Sequence, residues 1–194
     1  MEKLQNTKEP SRDPERMKYR LSEAMKECMK YAPVEKITVK EIVEVCGTTR
    51  QTFYRNFQDK YDLINWYFDK LAIVSFRQMG VSLTLREGLI KKFEFIKGER
   101  CFFTAAFKSE DHNSLLQHDF DFIYEFYKDI IKKKYQKEIP PDIKFLLEMY
   151  CRGSIAMTVQ WVTGGMKRST EDMAELLVRA LPPELAELLN DFKK

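Results

Sequence analysis

Glycine and proline are scarce, seven of each in 194 residues, so few breakers interrupt the chain and long helices have room to run. Cysteine is scarcer still. Cys28, Cys46, Cys101 and Cys151 stand far apart with no C-x-x-C pair, which argues against a zinc site and against a small, disulfide-dense secreted scaffold. Reduced, mostly buried thiols are the expectation. His112 and His118 are the only histidines. They lie six apart, a spacing that puts them on different helix faces. No metal site is expected, and both should be exposed polar residues near a helix start. The opening MEKLQNTKEPSRDPERM has no apolar core of the signal-peptide kind, and no apolar run approaches the ~20 residues of a membrane span. The expected protein is cytoplasmic and has no membrane partner.

Catalytic signatures are missing too. No Ser/His/Asp or Cys/His pair sits in a recognisable local motif, no glycine-rich loop could cradle phosphate, and no paired E-x-x-H suggests a di-iron bundle. Neither an enzyme nor a cofactor is expected. The net charge of +3 is small, but it is unevenly placed. Residues 1–60 hold 13 basic and 10 acidic residues, whereas the remaining residues balance at 20 and 20. The whole excess lies in the N-terminal third, as a mildly basic module approaching phosphate would require.

The chain is 44% hydrophobic and 32% charged, with 13% aromatic residues able to pack. That is the balance of a mostly helical protein with a real core. Residues 1–12 are polar, contain Pro10 and show no period, so they read as a flexible tail. A helix is expected from Asp13, with Pro14 in its first turn, until Pro33 ends it. Met17, Leu21, Ala24, Met25, Cys28 and Tyr31 form its apolar stripe. Thr38 and Glu41 have capping-box spacing for a second helix, with Val39, Ile42, Val43 and Cys46 on its buried face. Gly47 stops it. Thr48 and Thr49 cap a short third helix, with Gln51 at capping-box spacing from Thr48, and Asp59 with Asp62 repeats the device for a fourth running to about Gly80. Further helices are expected near 84–96, 99–108, 113–137, 141–163, 170–181 and 183–193. No stretch alternates as a strand. The fold class is therefore all-α: a helix-turn-helix domain over 13–60 and a larger helical regulatory and dimerisation domain over 61–194.

On the third helix, Phe53 and Phe57 lie four positions apart and face one way, while Gln51 and Arg55 face the other, with Thr52 and Tyr54 on the flanks. The outward residues are Gln, Thr, Tyr and Arg, unlike the Glu/Lys mixture of an ordinary solvated helix. Arg can bond two acceptors of guanine and Gln can pair with adenine. Hydroxyls and charge on Thr38, Thr49, Tyr54 and Lys60 suit phosphate oxygens. A short glycine-containing turn before this helix is the arrangement that admits a second helix to the major groove.

The stretch TVKEIVEVCGTTRQTFYRNFQDKYDLI resembles the DNA-binding signature of TetR-family bacterial transcriptional regulators. Shared elements are Thr38, Ile42, Gly47, the Thr49 cap, Thr52-Phe53-Tyr54, Phe57, Lys60 and Leu63-Ile64. The run RQTFYRNFQDKYDL is similar to the subgroup that includes regulators of dihydroxyacetone kinase operons. Gln51 departs from a frequent Gly and Asn56 from a frequent His, which bears on the operator sequence. The resemblance implies a homodimer on double-stranded DNA and a helical domain responsive to a small-molecule effector. The expected DNA-contacting set is Thr38, Thr48, Thr49, Arg50, Gln51, Thr52, Tyr54, Arg55, Asn56 and Lys60.

The larger domain concentrates aromatic residues. Tyr67, Phe103, Phe107, Phe122, Phe126 and Tyr150 are candidates to line an effector pocket, though such rings also serve simply as core. Met149, Gly153, Ala156, Met157 and Trp161, followed by Met173, Leu176 and Leu177, mix small and large residues on two successive helices. In the resembled family such helices form a two-fold dimer interface. The expected function is a sequence-specific regulator, a ligand-responsive repressor acting as a homodimer on a palindromic operator. The alternative is a protein-binding adaptor, or a coactivator-dependent activator without its own ligand.

Overall fold

A computed structural model describes residues 15–76, 83–109, 111, 115–135 and 138–189. The expected tail, the start of the first helix at Asp13 and Pro14, and His112 lie outside the described residues. The regular structure of the described residues comprises α1 (Arg16–Met29), a 3-10 turn (Val34–Lys36), α2 (Val39–Cys46), α3 (Arg50–Asn56) and α4 (Lys60–Phe76). It continues with α5 (Leu85–Gly98), α6 (Arg100–Ala106), α7 (Leu115–Tyr135), α8 (Pro141–Thr163), α9 (Thr170–Arg179) and α10 (Pro183–Leu189). None of these helices is long and apolar enough to cross a membrane.

Helix ends follow the capping chemistry closely. Thr38 and Thr84 each form a full capping box, with Glu41 and Glu87 respectively. Ser169 accepts from the backbone N–H of Asp172 at 3.0 Å. Asp59 accepts from the N–H groups of Tyr61 and Asp62, both at 2.8 Å, and Asp62 reaches back to the N–H of Gln58 at 2.8 Å. Each bond satisfies a donor that the helix itself leaves unpaired. The third helix is capped by Thr49, as the family signature implies, its hydroxyl accepting from the N–H of Thr52 at 3.2 Å; the Thr48–Gln51 spacing is not the one used. Thr48 is spent one step earlier, its own N–H donating to Val43 O at 2.9 Å to close the turn after α2. The 3-10 turn was not foreseen either, because three residues are too few for a period to show.

α1 packs on α2, α3, α4 and α6, while α7 lies against α8 and α5 against α9. α4 contacts α1 on one side and α5 and α7 on the other, so it belongs to both halves of the molecule. One continuous apolar core results, running from Leu21, Met25 and Phe53 through Leu63 and Tyr67 to Phe103 and Leu147. The thiols are less sheltered than expected. Cys151 is buried, Cys28 and Cys46 are half-buried, and Cys101 is exposed on the outer side of α6.

Candidate nucleic-acid interface

α2 and α3 are held by three devices. Thr38 Oγ1 accepts from the N–H of Glu41 at 3.3 Å, while the Glu41 carboxylate accepts from the Thr38 N–H and hydroxyl, both at 2.7 Å. Those bonds to its charged form hold the Glu41 carboxyl below the usual range. Gly47 then turns the chain at φ +67°, in the left-handed region that a β-branched residue resists. Finally, Arg20 on α1 donates to Cys46 O at 2.9 Å, pinning the end of α2 to the first helix.

α3 divides as its sequence predicts. Phe53 and Phe57 are buried, at 0% and 3% exposure, with ring centroids 5.9 Å apart. Phe57 also meets Trp66 of α4 edge-on at 5.7 Å. Arg50, Gln51, Tyr54 and Arg55 are exposed, Tyr54 at 59%. They share a face with Thr49, also exposed. Tyr54 borders the face, its ring edge-on to Phe53 at 5.5 Å. Thr48, Thr52 and Asn56 are half-buried, and Asn56 turns inward to donate its amide N–H to Thr52 O at 2.8 Å.

Lys60 departs from its expected role. Its ammonium donates to three backbone carbonyls, Val34 O at 2.7 Å, Glu35 O at 2.8 Å and Ile37 O at 2.9 Å. An ammonium has three hydrogens, so none remains for a phosphate oxygen in this arrangement. Burial lowers its pKa, with Glu35 opposing. The sequence shows a basic residue next to a recognition helix. Only the fold brings the 3-10 turn to it, 23 to 26 residues away in sequence.

Residues 23–66 match the family described as bacterial regulatory proteins, tetR family, and residues 84–182 match a transcriptional regulator C-terminal region. The chain belongs to the TetR family of transcriptional regulators. No curated protein matches its sequence. Among solved structures it is similar to a dihydroxyacetone kinase operon activator, DhaS, at 17% identity and a TM-score of 0.65, covering 90% of this chain and 98% of that one. It is also similar to a TetR transcriptional regulator from Streptococcus agalactiae, at 20% identity and a TM-score of 0.65, covering 85% and 93%. At such identities the likeness is one of fold.

In this TetR-family chain the expected effector-pocket rings pack against neighbouring aromatic rings. Tyr67, Phe103, Phe107 and Tyr150 are buried, while Phe122 and Phe126 are half-buried. Phe103 lies 5.6 Å from Phe107, and Phe68 lies 5.8 Å from Phe122. Tyr150 donates its hydroxyl to Leu177 O at 3.1 Å. Tyr67 is committed elsewhere: Lys26 of α1 bonds its hydroxyl at 3.1 Å and the Glu99 carboxylate at 2.9 Å. Burial works to lower the Lys26 pKa, but its bonds to Glu99, Tyr67 and Glu23 outweigh that and hold the ammonium charged. This triad ties the DNA-side helix α1 to the start of α6. On sequence alone Lys26 and Glu99 look like ordinary solvated charges.

The expected dimer helices split into two sets. Phe145, Met149 and Met157 on α8 and Leu176 on α9 are exposed large apolar residues, at 65%, 60%, 47% and 41%, and Gly153 and Ala156 are exposed beside them. Trp161, Met173 and Leu177 are instead buried within the chain. Trp161 packs edge-on against Phe93 at 5.3 Å and donates its indole N–H to Arg168 O at 3.1 Å, so it is intramolecular core. A groove of about 500 Å³ between α8 and α9 is bordered by Met157, Gln160, Leu176 and Ala180. His118, expected exposed, is half-buried on α7 and bonds Asp69 of α4 at 2.7 Å.

Proposed function

We propose that this TetR-family regulator reads a palindromic operator as a homodimer, placing α3 of each subunit in a major groove. The observation that carries the proposal is the two-sidedness of α3, whose phenylalanines are buried while Gln51, Tyr54 and Arg55 stand free. In this reading Arg55 and Gln51 contact bases. Thr38, Thr48, Thr49, Arg50, Thr52, Tyr54 and Asn56 contact or frame the backbone, and Lys60 secures the scaffold behind them. The unit over 13–60 is the DNA-reading part, and 61–194 regulates and dimerises.

The second copy packs on the exposed stripe Phe145, Met149, Gly153, Ala156, Met157 and Leu176. Contiguous large apolar side chains left in water mark an association surface, and a two-fold axis makes one stripe complementary to itself. Control comes from a small molecule that prefers one separation of the two α3 helices over the other, and it shifts operator affinity only by that preference. Occupancy of an operator excludes other proteins without further contacts, which makes repression the simplest output. The likeness to a dihydroxyacetone kinase operon activator favours activation as the second reading.

Selection of bound sites from a random DNA pool tests the proposal. Enrichment of an inverted repeat with half-site centres about 34 Å apart, or a related spacing, is expected. No enrichment, or a single unpaired motif, overturns it.

A further inference from the structure

A groove of about 710 Å³ lies between the end of α1 and the outer side of α6. The end of α1 falls in the N-terminal family match and α6 in the C-terminal one, and the two helices are in direct contact. The residues lining the groove include none from α3, none of the expected effector-pocket rings and none of the α8–α9 stripe. Apolar groups line it from both sides, Met29, Ala32 and Pro33 from the α1 end and Ala105 from α6. Tyr31 lines it too. Helical spacing puts this tyrosine in the buried stripe of α1, but the helix stops at Met29 and Tyr31 is 86% exposed.

The charges around the groove are unbalanced. Lys30, Arg100 and Lys108 line it against the single carboxylate of Glu35. Glu27 answers Lys30 at 2.6 Å. Arg100 carries its guanidinium toward Gly165, and among the described residues neither it nor Lys108 has an acidic partner. Thr104 of α6 lines the same groove, and its hydroxyl is shut off from solvent with no hydrogen-bond partner.

We infer that this groove binds a small organic anion with a flat apolar body, its headgroup a carboxylate or a phosphate. The sign follows from the surplus cations, since Lys108 and Arg100 attract an anion and repel a cation. The apolar body follows from the lining, because a ring laid over Tyr31 and Met29 removes apolar surface from water. The volume suits a guest of that size. Buried hydroxyls are nearly always bonded, and an anionic oxygen seated against α6 supplies the acceptor that Thr104 lacks. The site rests on no part of the operator reading.

Cys101 is a local reporter, because it is an exposed thiol lining the groove, whereas Cys28 and Cys46 are half-buried and Cys151 is buried. Alkylation of the full chain by iodoacetamide, followed thiol by thiol by mass spectrometry at constant ionic strength, tests the site. The probes share one body: phenylacetate and phenyl phosphate as anions, phenylacetamide as the neutral analogue and phenethylamine as the cation. For an affinity of about 1 mM, roughly 10 mM of guest should slow Cys101 about tenfold. One of the two anions should do so, and which of them does names the headgroup. The amide and the amine should leave the rate within about twofold of its starting value. Arg100→Gln/Lys108→Gln, at two exposed positions that the fold does not depend on, should remove most of the protection, and Thr104→Val should weaken it. The inference is overturned if neither anion protects Cys101, or if the amide or the amine protects it as well as the anions do. Protection that survives intact in either variant overturns it too, as does equal slowing of Cys28 and Cys46, which marks a general tightening of the chain.

Discussion

Replacing Lys60 with methionine should loosen the DNA-binding unit without removing a contact to DNA. Methionine keeps an apolar stem and deletes the ammonium, leaving Val34 O, Glu35 O and Ile37 O without their shared donor. Val34 O keeps the backbone N–H of Ile37 at 3.2 Å, so the buried acceptor left without a donor is Ile37 O. An unsatisfied buried acceptor costs about 1–3 kcal/mol. Lys60 itself is only half-buried, and Glu35 is exposed and readily hydrated. The expected loss is therefore roughly 1–3 kcal/mol, and the midpoint should fall by roughly 2–12 °C. Trp66, packed against Phe57 and Tyr19, reports on this unit, and a Trp161→Phe background leaves it the single tryptophan. DNA binding measured against salt decides between the two roles. A lysine neutralising one phosphate contributes about 0.9 to the slope of log affinity against log salt. The slope should be unchanged in the variant at temperatures where it is folded. A slope reduced by about 0.9 per half-site, with stability intact, refutes the tether and makes Lys60 a phosphate contact.

Arg55→Ala should cost about 1–3 kcal/mol at one base position of the operator and relax the preference there. Equal loss on every sequence would show that Arg55 touches backbone alone. Introducing charge at Met149 and Met157, both to glutamate, should convert the dimer to monomer in sedimentation velocity and weaken binding to the inverted repeat, while an unchanged mass would remove α8 from the interface. His118 provides a pH test. Its pKa is raised above the ordinary 6.5 chiefly by the hydrogen bond to Asp69, with burial opposing. A group whose folded pKa is raised contributes fully below its unfolded value and loses that contribution as pH climbs through the folded one. The midpoint difference between wild type and His118→Gln should thus be largest in mildly acidic buffer and shrink toward alkaline pH. Because Asp119 interacts with His118, both proteins are compared in an Asp119→Asn background, so that the His118–Asp69 pair accounts for the difference. A difference flat with pH would exclude the charged pair.

Local interactions were legible in the sequence wherever they recur at short range. The Thr38–Glu41 box, the Gly47 stop and the Asp59–Asp62 cap each involve residues within four positions, so residue type and spacing suffice. The burial of Phe53 and Phe57 against an exposed Gln51 and Arg55 is of the same kind, since helical periodicity alone assigns the faces. Periodicity could not say what covers an apolar face. Trp161, Met173 and Leu177 carry the same stripe signal as Met149 and Met157, yet the first three meet their own chain and the other two meet solvent. The aromatic residues of the larger domain suffered the same ambiguity, because a ring suits a pocket wall and a neighbouring ring equally well.

Sequence by itself determined an all-helical chain with a two-sided third helix, because capping and amphipathicity are encoded within a turn or two. Tertiary structure alone decided the fates of the charges. Lys60 binds the carbonyls of the 3-10 turn, Lys26 reaches Glu99 across 73 residues, and Lys92 and Asp119 are both buried in the core. A charged side chain looks alike in sequence whether water or another helix receives it, and only packing sets the dielectric and the partner that fix its energy.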